Sequence, residues 1–377
     1  MNVLYLFQNF RGMSQYLKKI HIEGYKSIKE MDLELNQRIN ILIGANGSGK
    51  SNFVSVFKFL RQIVEKRLQS TMLEVRDVNQ FLYYGIKETQ AIKIQLDFNL
   101  NNYFINLKPS GEFSLSVQSE CTAFHNKEKY PEPVWTETTR DSSESRLEEA
   151  GKKAGISKYV FEALSSWRVY HFHDTSSNAL VKRLGEINDN LFLREDASNL
   201  AAFLYRMKIE KLKHFERIVE TIKLVVPMFK DFLLRPVVGN EDKIRLEWYA
   251  NSSDVPFKAN QLSDGSLRFI CLASALLQPE RPGIILLDEP ELGLHPSAVK
   301  ILGGLIHTIS YHSQIIVSTQ SRELVAVFDE PDEVEFIIVV ENKERTSTFK
   351  KLDKIALENW LDEYTLVQLW DKNIIGG

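Results

Sequence analysis

Residues 44–51, which read GANGSGKS, are the feature that most constrains how this chain can fold. They match the G-x-x-x-x-G-K-[ST] pattern at every specified position. The apolar run before them, residues 39–43, predicts a short buried strand, and residues 52–60 after them predict a helix. A strand, a glycine-rich turn and a helix N-terminus direct several backbone N–H groups to one point, where they can bind a chain of phosphates.

The same pattern predicts a role for the polar residues of the loop. Lys50 is expected to reach the β- and γ-phosphates of a nucleotide, and the Ser51 hydroxyl is expected to ligate Mg²⁺. The alternative is a glycine turn that binds nothing, and the strand–loop–helix setting disfavours it. The residues predicted to bind the nucleotide, ATP, are Asn46, Gly47, Ser48, Gly49, Lys50 and Ser51.

Residues 283–290, which read GIILLDEP, form a second constellation, in which an apolar strand ends in two acids. Asp288 at the end of such a strand can bind Mg²⁺ through water and hold Ser51. Glu289 directly after it can polarise an attacking water molecule as a general base. A strand that ends in a solvated acidic turn is the alternative, but the intact phosphate loop elsewhere in the chain favours a shared ATP site.

Composition limits the class of protein. The net charge of −3 over 377 residues argues against a molecule coated in basic surface, although a local basic groove stays open. Cys121 and Cys271 are the two cysteines, and their wide separation excludes a disulfide framework and fits a reducing cytosol. No apolar run approaches the ~20 residues needed to cross a bilayer, and residues 1–10 lack the features of a signal peptide. We therefore expect a cytoplasmic protein with no membrane association.

Hydrophobic periodicity divides the chain. Residues 17–43 alternate like a β-meander that leads into the phosphate loop, and residues 91–118 alternate like an antiparallel sheet. Residues 119–158 are polar and predict a variable insertion or mobile loop, residues 195–235 predict helices, and the helix–strand succession from residue 263 predicts a parallel sheet. The predicted parts are an N-terminal ATPase lobe at 1–118, an inserted variable and helical subdomain at 119–235, and a C-terminal ATPase lobe at 236–377.

Four segments resemble the ABC-type ATPases of the SMC, RecF and Rad50 group. Residues 288–296 (DEPELGLHP) look like the Walker B motif and D-loop of this group, and residues 262–266 (LSDGS) resemble its signature motif. Residues 24–28 (GYKSI) resemble its opening strand, and residues 318–321 (STQS) stand where its switch usually reads Ser-Thr-His-Ser. The resemblance implies an α/β P-loop NTPase of ABC-ATPase type, with a mixed sheet flanked by helices and an inserted helical subdomain.

The resemblance also implies how the site is completed. Ser263 and Gly265 are expected to lie at a helix N-terminus that binds the γ-phosphate held by the opposing subunit, so that two ATP molecules are sandwiched in a homodimer. A higher oligomer stays open, and the alternative for residues 262–266 is a plain cap and turn. Gln320 replaces the histidine of the switch. It can donate a hydrogen bond but cannot titrate, so slow hydrolysis and a long-lived ATP state are both open.

His171, His173 and Asp174 form a conspicuous H-x-H-D group. A metal site is one interpretation, because both imidazoles fall on one face of a strand. Ordinary hydrogen-bonded histidines near the nucleotide are the favoured interpretation, since no third ligand stands at a suitable spacing.

Two segments carry a narrower resemblance. Residues 167–174 and 360–377 look similar to those of stand-alone bacterial ATPases found in anti-phage defence modules. That subgroup implies a separate effector as partner, a toxin or a nuclease of the TOPRIM-like or HNH kind. A RecF-type DNA-repair ATPase and an ATP-dependent sensor or scaffold are the alternatives. The basic residues within 205–217 leave DNA contact open, although a solvated helix face is favoured.

Overall fold

The computed structural model describes residues 16–126, 132–152, 155–330 and 332–375. The predictions made for residues 1–10, for part of the segment 119–158 and for the closing residues 376–377 lie outside this part of the chain. The described helices are α1 (Lys50–Val64), α2 (Leu68–Val75), α3 (Leu147–Gly151), α4 (Ile156–Ser166), α5 (Leu200–Glu210), α6 (Leu212–Val225), α7 (Asp264–Leu276), α8 (Pro296–Ile309), α9 (Arg322–Val325), α10 (Lys354–Leu361) and α11 (Leu366–Asp371).

The strands of the same residues form two large sheets and two small ones. They are β1 (Lys19–Tyr25), β2 (Ile28–Glu34), β3 (Ile39–Ile43), β4 (Ile92–Asp97), β5 (Asn101–Pro109), β6 (Leu115–Phe124), β7 (Val134–Ser142), β8 (Arg168–Tyr170), β9 (Gly185–Glu186), β10 (Phe229–Leu233), β11 (Pro236–Val237), β12 (Asn240–Ile244), β13 (Glu247–Ala250), β14 (Phe257–Lys258), β15 (Ile284–Asp288), β16 (Gln314–Ser318), β17 (Ile337–Lys343) and β18 (Thr346–Lys351).

The central sheet has the order β18-β17-β3-β16-β15-β8, in which only β18 runs antiparallel to its neighbour. Every residue of β3, β15 and β16 is buried, as the apolar runs in the sequence predict. Alternate residues of β3 contact different cores, Ile39, Ile41 and Ile43 one and Leu42 the other. The sheet is therefore covered on both faces, and the carboxyl ends of its parallel strands meet at one edge.

The second large sheet is antiparallel, with the order β2-β1-β4-β5-β6-β7. The predicted meander at 17–43 is wrong in one respect, because β3 leaves β1 and β2 and pairs in the central sheet. The predicted loop at 119–158 is also wrong. The boundary between 118 and 119 falls inside β6, and β7 extends the sheet.

The error in this region has a physical reason. Buried positions of β6 hold polar residues, Glu120 and Thr122, which hide the alternation that predicts a strand. Glu120 accepts hydrogen bonds from the hydroxyl of Tyr103 at 2.8 Å and from that of Ser145 at 2.6 Å. Hydrogen bonding thus permits an acid inside the sheet.

The later elements follow the sequence more closely. The helices expected at 195–235 are α5 and α6, but the run ends earlier, because β10 begins at Phe229 and starts one of the two small sheets. The C-terminal residues form two separate helices, α10 and α11, and Thr365 caps α11 through a hydrogen bond from the N–H of Gln368. None of the described helices has the length and apolarity that crossing a bilayer requires. The three-part domain division stays a prediction.

Candidate active site

The phosphate loop connects β3 to α1 and is held from outside by the β17–β18 hairpin. Gly49 precedes α1 with a φ of 112°, a left-handed conformation that favours glycine. A Cβ atom at Gly49 would overlap the side chain of Ser347, which donates a hydrogen bond to the carbonyl of Ser48 at 2.7 Å. Glycine is therefore required here both by backbone conformation and by close packing.

Lys50 lies inside this loop. Its ammonium donates to the carbonyls of Gly44 at 2.7 Å and Ala45 at 3.1 Å, and the residue is 4% exposed. Burial lowers the pKa of Lys50, while the carboxylates of Glu289 and Asp288 act in the opposite direction. The structure thus places one buried cation in the loop, opposite the acids at the end of β15.

The Ser48 hydroxyl is a second polar group enclosed in the loop. It is buried and has no hydrogen-bond partner among the described residues. An enclosed hydroxyl, a lysine ammonium and the first N–H groups of α1 are donors suited to phosphate oxygens. The loop therefore fits a polyphosphate.

Asp288 joins the acidic strand end to the phosphate loop. The Ser51 hydroxyl donates to its Oδ1 atom at 3.5 Å, and the Ser318 hydroxyl contacts the same oxygen. Burial acts to raise the pKa of Asp288, but hydrogen bonds from His171 and Ser318 outweigh it and the pKa is lowered. A hydroxyl and a carboxylate at one point are hard oxygen ligands, so these residues fit Mg²⁺, which commonly takes one or two protein carboxylates together with substrate phosphates.

Glu289 has an unusual backbone conformation, with a φ of 45° in the left-handed region. Its N–H donates to the carbonyl of Ser318 at 2.9 Å. The side-chain amide of Gln320 donates to its carboxylate. The structure therefore brings the two residues predicted to be catalytic into direct contact.

The signature segment lies at the start of α7, as its sequence predicts. Ser263 is exposed and accepts a hydrogen bond from the N–H of Ser266 at 3.2 Å, which is an N-cap. A Cβ atom at Gly265 would overlap the carbonyl of Gly293, so this helix packs closely on the D-loop. Asp264 pairs with Lys182 at 3.5 Å. These contacts describe a capped helix, and a role across a dimer stays a prediction.

His171 and His173 lie at the carboxyl end of β8 and contact Asp288. The ring centroids are 3.6 Å apart, His171 Nδ1 lies 3.3 Å from the Asp288 carboxylate, and His173 Nε2 donates to the Asp288 carbonyl at 3.1 Å. Burial, followed by the charge of His171, lowers the pKa of His173. Asp174 is exposed and instead accepts from the N–H of Ser176. Within the described ranges, no group of three His, Cys, Asp or Glu side chains is placed to hold a metal ion.

Two residues of the site were missed by the sequence analysis. Arg268 in α7 donates to the carbonyls of Phe172 at 2.8 Å, His173 at 3.1 Å and Leu292, and so ties the signature helix to the D-loop. The sequence signal that could have indicated this role is a single arginine among the mostly apolar residues of its helix. Glu291 is buried beside the switch segment, residues 318–321. The sequence gave no indication of this burial, because Glu291 follows two other acids in what reads as an exposed turn.

A cleft of about 930 Å³ opens beside the phosphate loop. Residues from widely separated parts of the chain meet around it, and they include Lys26, Ser27, Asn52, Tyr84, Asn342 and Arg345.

Comparison with known proteins identifies a family whose model matches residues 39–326, described as "AAA domain, putative AbiEii toxin, Type IV TA system". The ATP/GTP phosphatase of Helicobacter pylori is 20% identical over 345 residues, which cover 83% of this chain and 88% of the phosphatase. Structural maintenance of chromosomes protein 3 of Arabidopsis thaliana is 40% identical over 57 residues, 15% of this chain and 5% of that protein. RecF of Halothermothrix orenii is 25% identical over 87 residues, 22% of this chain and 23% of RecF. The chain therefore spans most of the phosphatase and a small part of the other two.

Solved structures show the same architecture. An Smc head bound to the C-winged helix domain of ScpA is similar with a TM-score of 0.57 and 16% identity, covering 91% of this chain and 99% of that chain. An Smc head with an extended coiled coil, bound to the C-terminal domain of ScpA derived from Pyrococcus furiosus, has a TM-score of 0.52 and 17% identity, with coverage of 92% and 99%. These likenesses confirm the predicted fold class, an α/β P-loop NTPase of ABC-ATPase type.

Proposed function

The chain belongs to this AAA domain family, an ATPase family of the SMC and RecF kind, and on that premise we propose that it binds and hydrolyses ATP as a dimer. One observation carries the proposal. Lys50 and Ser51 of the phosphate loop, Asp288 at the end of β15 and Gln320 after β16 converge at one edge of the central sheet, where Glu289 lies against Gln320. This edge holds a cation for phosphate, oxygen ligands and a carboxylate base.

Each residue has a distinct task in this proposal. The backbone of Asn46, Gly47, Ser48 and Gly49 and the ammonium of Lys50 bind the phosphates of ATP. Ser51 and Asp288 hold Mg²⁺, which when bound neutralises charge on the phosphates. Glu289 accepts a proton from the attacking water molecule, and Gln320 orients the Glu289 carboxylate through its amide.

The nucleoside half of ATP belongs in the cleft beside the loop. A volume of about 930 Å³ is of the size that binds a small ligand. Asn52, the residue directly after the phosphate loop, borders the cleft, and Asn342, which also lines it, donates to the Gly47 carbonyl at 3.3 Å, so the cleft adjoins the loop. Tyr84 is 46% exposed and offers an aromatic surface to a base.

Dimerisation is supported by the position of the signature segment. Ser263 and the N-terminus of α7 are exposed, so a partner subunit can reach them. In a head-to-tail pair with two-fold symmetry, Ser263 and Gly265 of one subunit bind the γ-phosphate held by the other. Both ATP molecules then lie between the subunits.

Control of a separate effector is the biological role we propose. The description of the matched family names a toxin and a toxin–antitoxin system, which supports our proposal of a cytoplasmic ATPase in bacterial defence that controls a toxin or nuclease-like partner. The RecF likeness supports a DNA-repair ATPase as the second candidate. The positive charge of helix α5 in this chain is partly neutralised, since Arg206 pairs with Glu210 at 2.8 Å and Lys208 pairs with Asp231 at 3.4 Å. DNA contact therefore has weaker support.

Glu289→Gln tests the catalytic assignment. The change keeps the shape and hydrogen bonding of the side chain but removes the base, so ATP binds while turnover falls by ~10²–10⁴-fold. The variant accumulates as the ATP-bound dimer, which light scattering measures. The exposed Glu280→Gln is the matched control and retains parental turnover. Hydrolysis by Glu289→Gln at the parental rate would place the general base elsewhere.

A further inference from the structure

Glu291, the second acid after β15, takes no part in the function proposed above. The residue is only 9% exposed, and its Oε2 atom has no hydrogen-bond partner among the described residues. Burial raises the pKa of Glu291, although hydrogen bonds from Thr319 and from backbone N–H groups act in the opposite direction. An incompletely paired carboxyl is unfavourable inside a protein, which points to a role for its remaining contacts.

Those contacts go to the switch segment that follows β16. The Oε1 atom of Glu291 accepts hydrogen bonds from the Thr319 hydroxyl at 2.6 Å and from the Gln320 N–H at 3.0 Å. The Thr319 hydroxyl oxygen also accepts from the N–H of Ser321 at 3.0 Å. One carboxylate oxygen therefore fixes two consecutive residues at the point where the strand has ended.

The chain of contacts continues to the proposed base. Gln320, anchored through its N–H to Glu291, donates through its side-chain amide to the carboxylate of Glu289. We propose that Glu291 is a positioning residue, which holds the backbone of Gln320 so that the Gln320 amide orients Glu289. This inference rests on the function proposed above.

The chemistry of glutamine explains why such an anchor is useful. A glutamine side chain has three rotatable torsions and no charge, so a fixed backbone is what limits the position of its amide. Glu289 itself adopts a strained left-handed conformation, and its carboxylate needs an external contact to define its direction. Glu291 supplies the fixed end of this arrangement.

A double-mutant cycle tests the inference, with ATP turnover and ATP affinity measured for each protein. Glu291→Ala lowers kcat by up to ~10²-fold, because small displacements of catalytic groups have effects of that size. Its ATP affinity stays within about twofold of the parent, since the change acts on the chemical step. Glu291→Gln keeps an acceptor oxygen and recovers most of the turnover. In a Gln320→Ala background, Glu291→Ala has little further effect, because the residue it positions is already absent.

The outcomes separate the inference from the function on which it rests. If the effects of Glu291→Ala and Gln320→Ala multiply, or if Glu291→Gln is as slow as Glu291→Ala, Glu291 does not act through Gln320. If the parent protein neither binds nor hydrolyses ATP, the proposed function itself is wrong, and if Glu289→Gln turns over ATP at the parental rate, only the base assignment and the positioning role that depends on it are wrong. Thermal unfolding checks that each variant is folded. Thr319→Val, which removes one donor to Glu291 with little change of size, replaces Glu291→Ala in the cycle if the latter does not fold.

Discussion

Lys50, with its buried ammonium, is the residue on which we propose that phosphate binding depends. It faces Glu289 and Asp288 across the site, so its removal leaves phosphates and carboxylates without a nearby positive charge. We expect Lys50→Ala to abolish ATP binding, measured by titration with ATP. Lys58→Ala is the matched control, because Lys58 lies on the same helix, is 54% exposed and pairs with Glu195 at 3.4 Å. Undiminished affinity in Lys50→Ala would contradict the phosphate-loop assignment.

Single residues could be predicted when a local pattern contained them. Lys50, Ser51 and Asp288 are placed together in the structure as their motifs indicate. Glu291 and Arg268 were missed because their contacts join segments far apart in sequence, and no spacing along the chain records such contacts. Whether the H-x-H-D group could bind a metal ion was likewise not decidable from its spacing along the chain. In the structure both histidines contact Asp288, whereas Asp174 accepts a hydrogen bond from Ser176.

The β17–β18 hairpin is the element that holds the phosphate loop in place. Ser347 of β18 donates to the Ser48 carbonyl at 2.7 Å and lies 2.7 Å from the Ser27 hydroxyl. A hydrogen bond of this kind contributes about 0.5–1.5 kcal/mol, so we expect Ser347→Ala to weaken ATP affinity by roughly 2- to 10-fold. Thr348→Ala, an exposed neighbour on the same strand, is the control and binds ATP like the parent. Equal affinities for both variants would exclude a role for the hairpin in binding.

Elements were predictable where burial and apolar sequence coincide. β3, β15 and β16 are wholly buried, and their largely apolar sequences indicate strands of a parallel sheet. Residues 119–124 of β6 were assigned to an insertion or loop because hydrogen-bonded polar residues occupy buried positions there. β8 has only three residues, too few to show a period, although it completes the edge of the central sheet.

At the scale of the whole molecule, the candidate active site has two parts that reach the surface at separate places. The phosphate loop reaches the surface at Ala45, Asn46 and Gly47, and the signature helix is capped by the exposed Ser263. Arg268 and Gly265 connect that helix to the D-loop, which follows Asp288 and Glu289 directly. A phosphate bound by the helix N-terminus would therefore act on the residues next to Glu289. This connection gives a physical reason for dimerisation and hydrolysis to depend on each other.

Ser263→Arg tests the shared site at the level of the dimer. The arginine places bulk and charge where the helix N-terminus is expected to meet the partner's γ-phosphate, so each subunit still binds ATP while dimerisation and hydrolysis are lost. Ser252→Arg, on an exposed turn outside the signature segment, is the control and behaves like the parent. Light scattering, ATP titration and phosphate release measure the three properties. Normal hydrolysis by monomeric Ser263→Arg would show that residues 262–266 form only a capped turn.

Mixing Ser263→Arg with Lys50→Ala protein makes the test independent of what either change does alone. In the mixed dimer, one site combines both changes, while the other combines an intact phosphate loop with an intact signature segment. That composite site restores part of the ATP turnover, provided that one site can act alone. The restored rate depends on the ratio of the two proteins and is highest near equal amounts, because the mixed dimer is then most abundant. Two sites that were each built within a single subunit would give no restoration at any ratio.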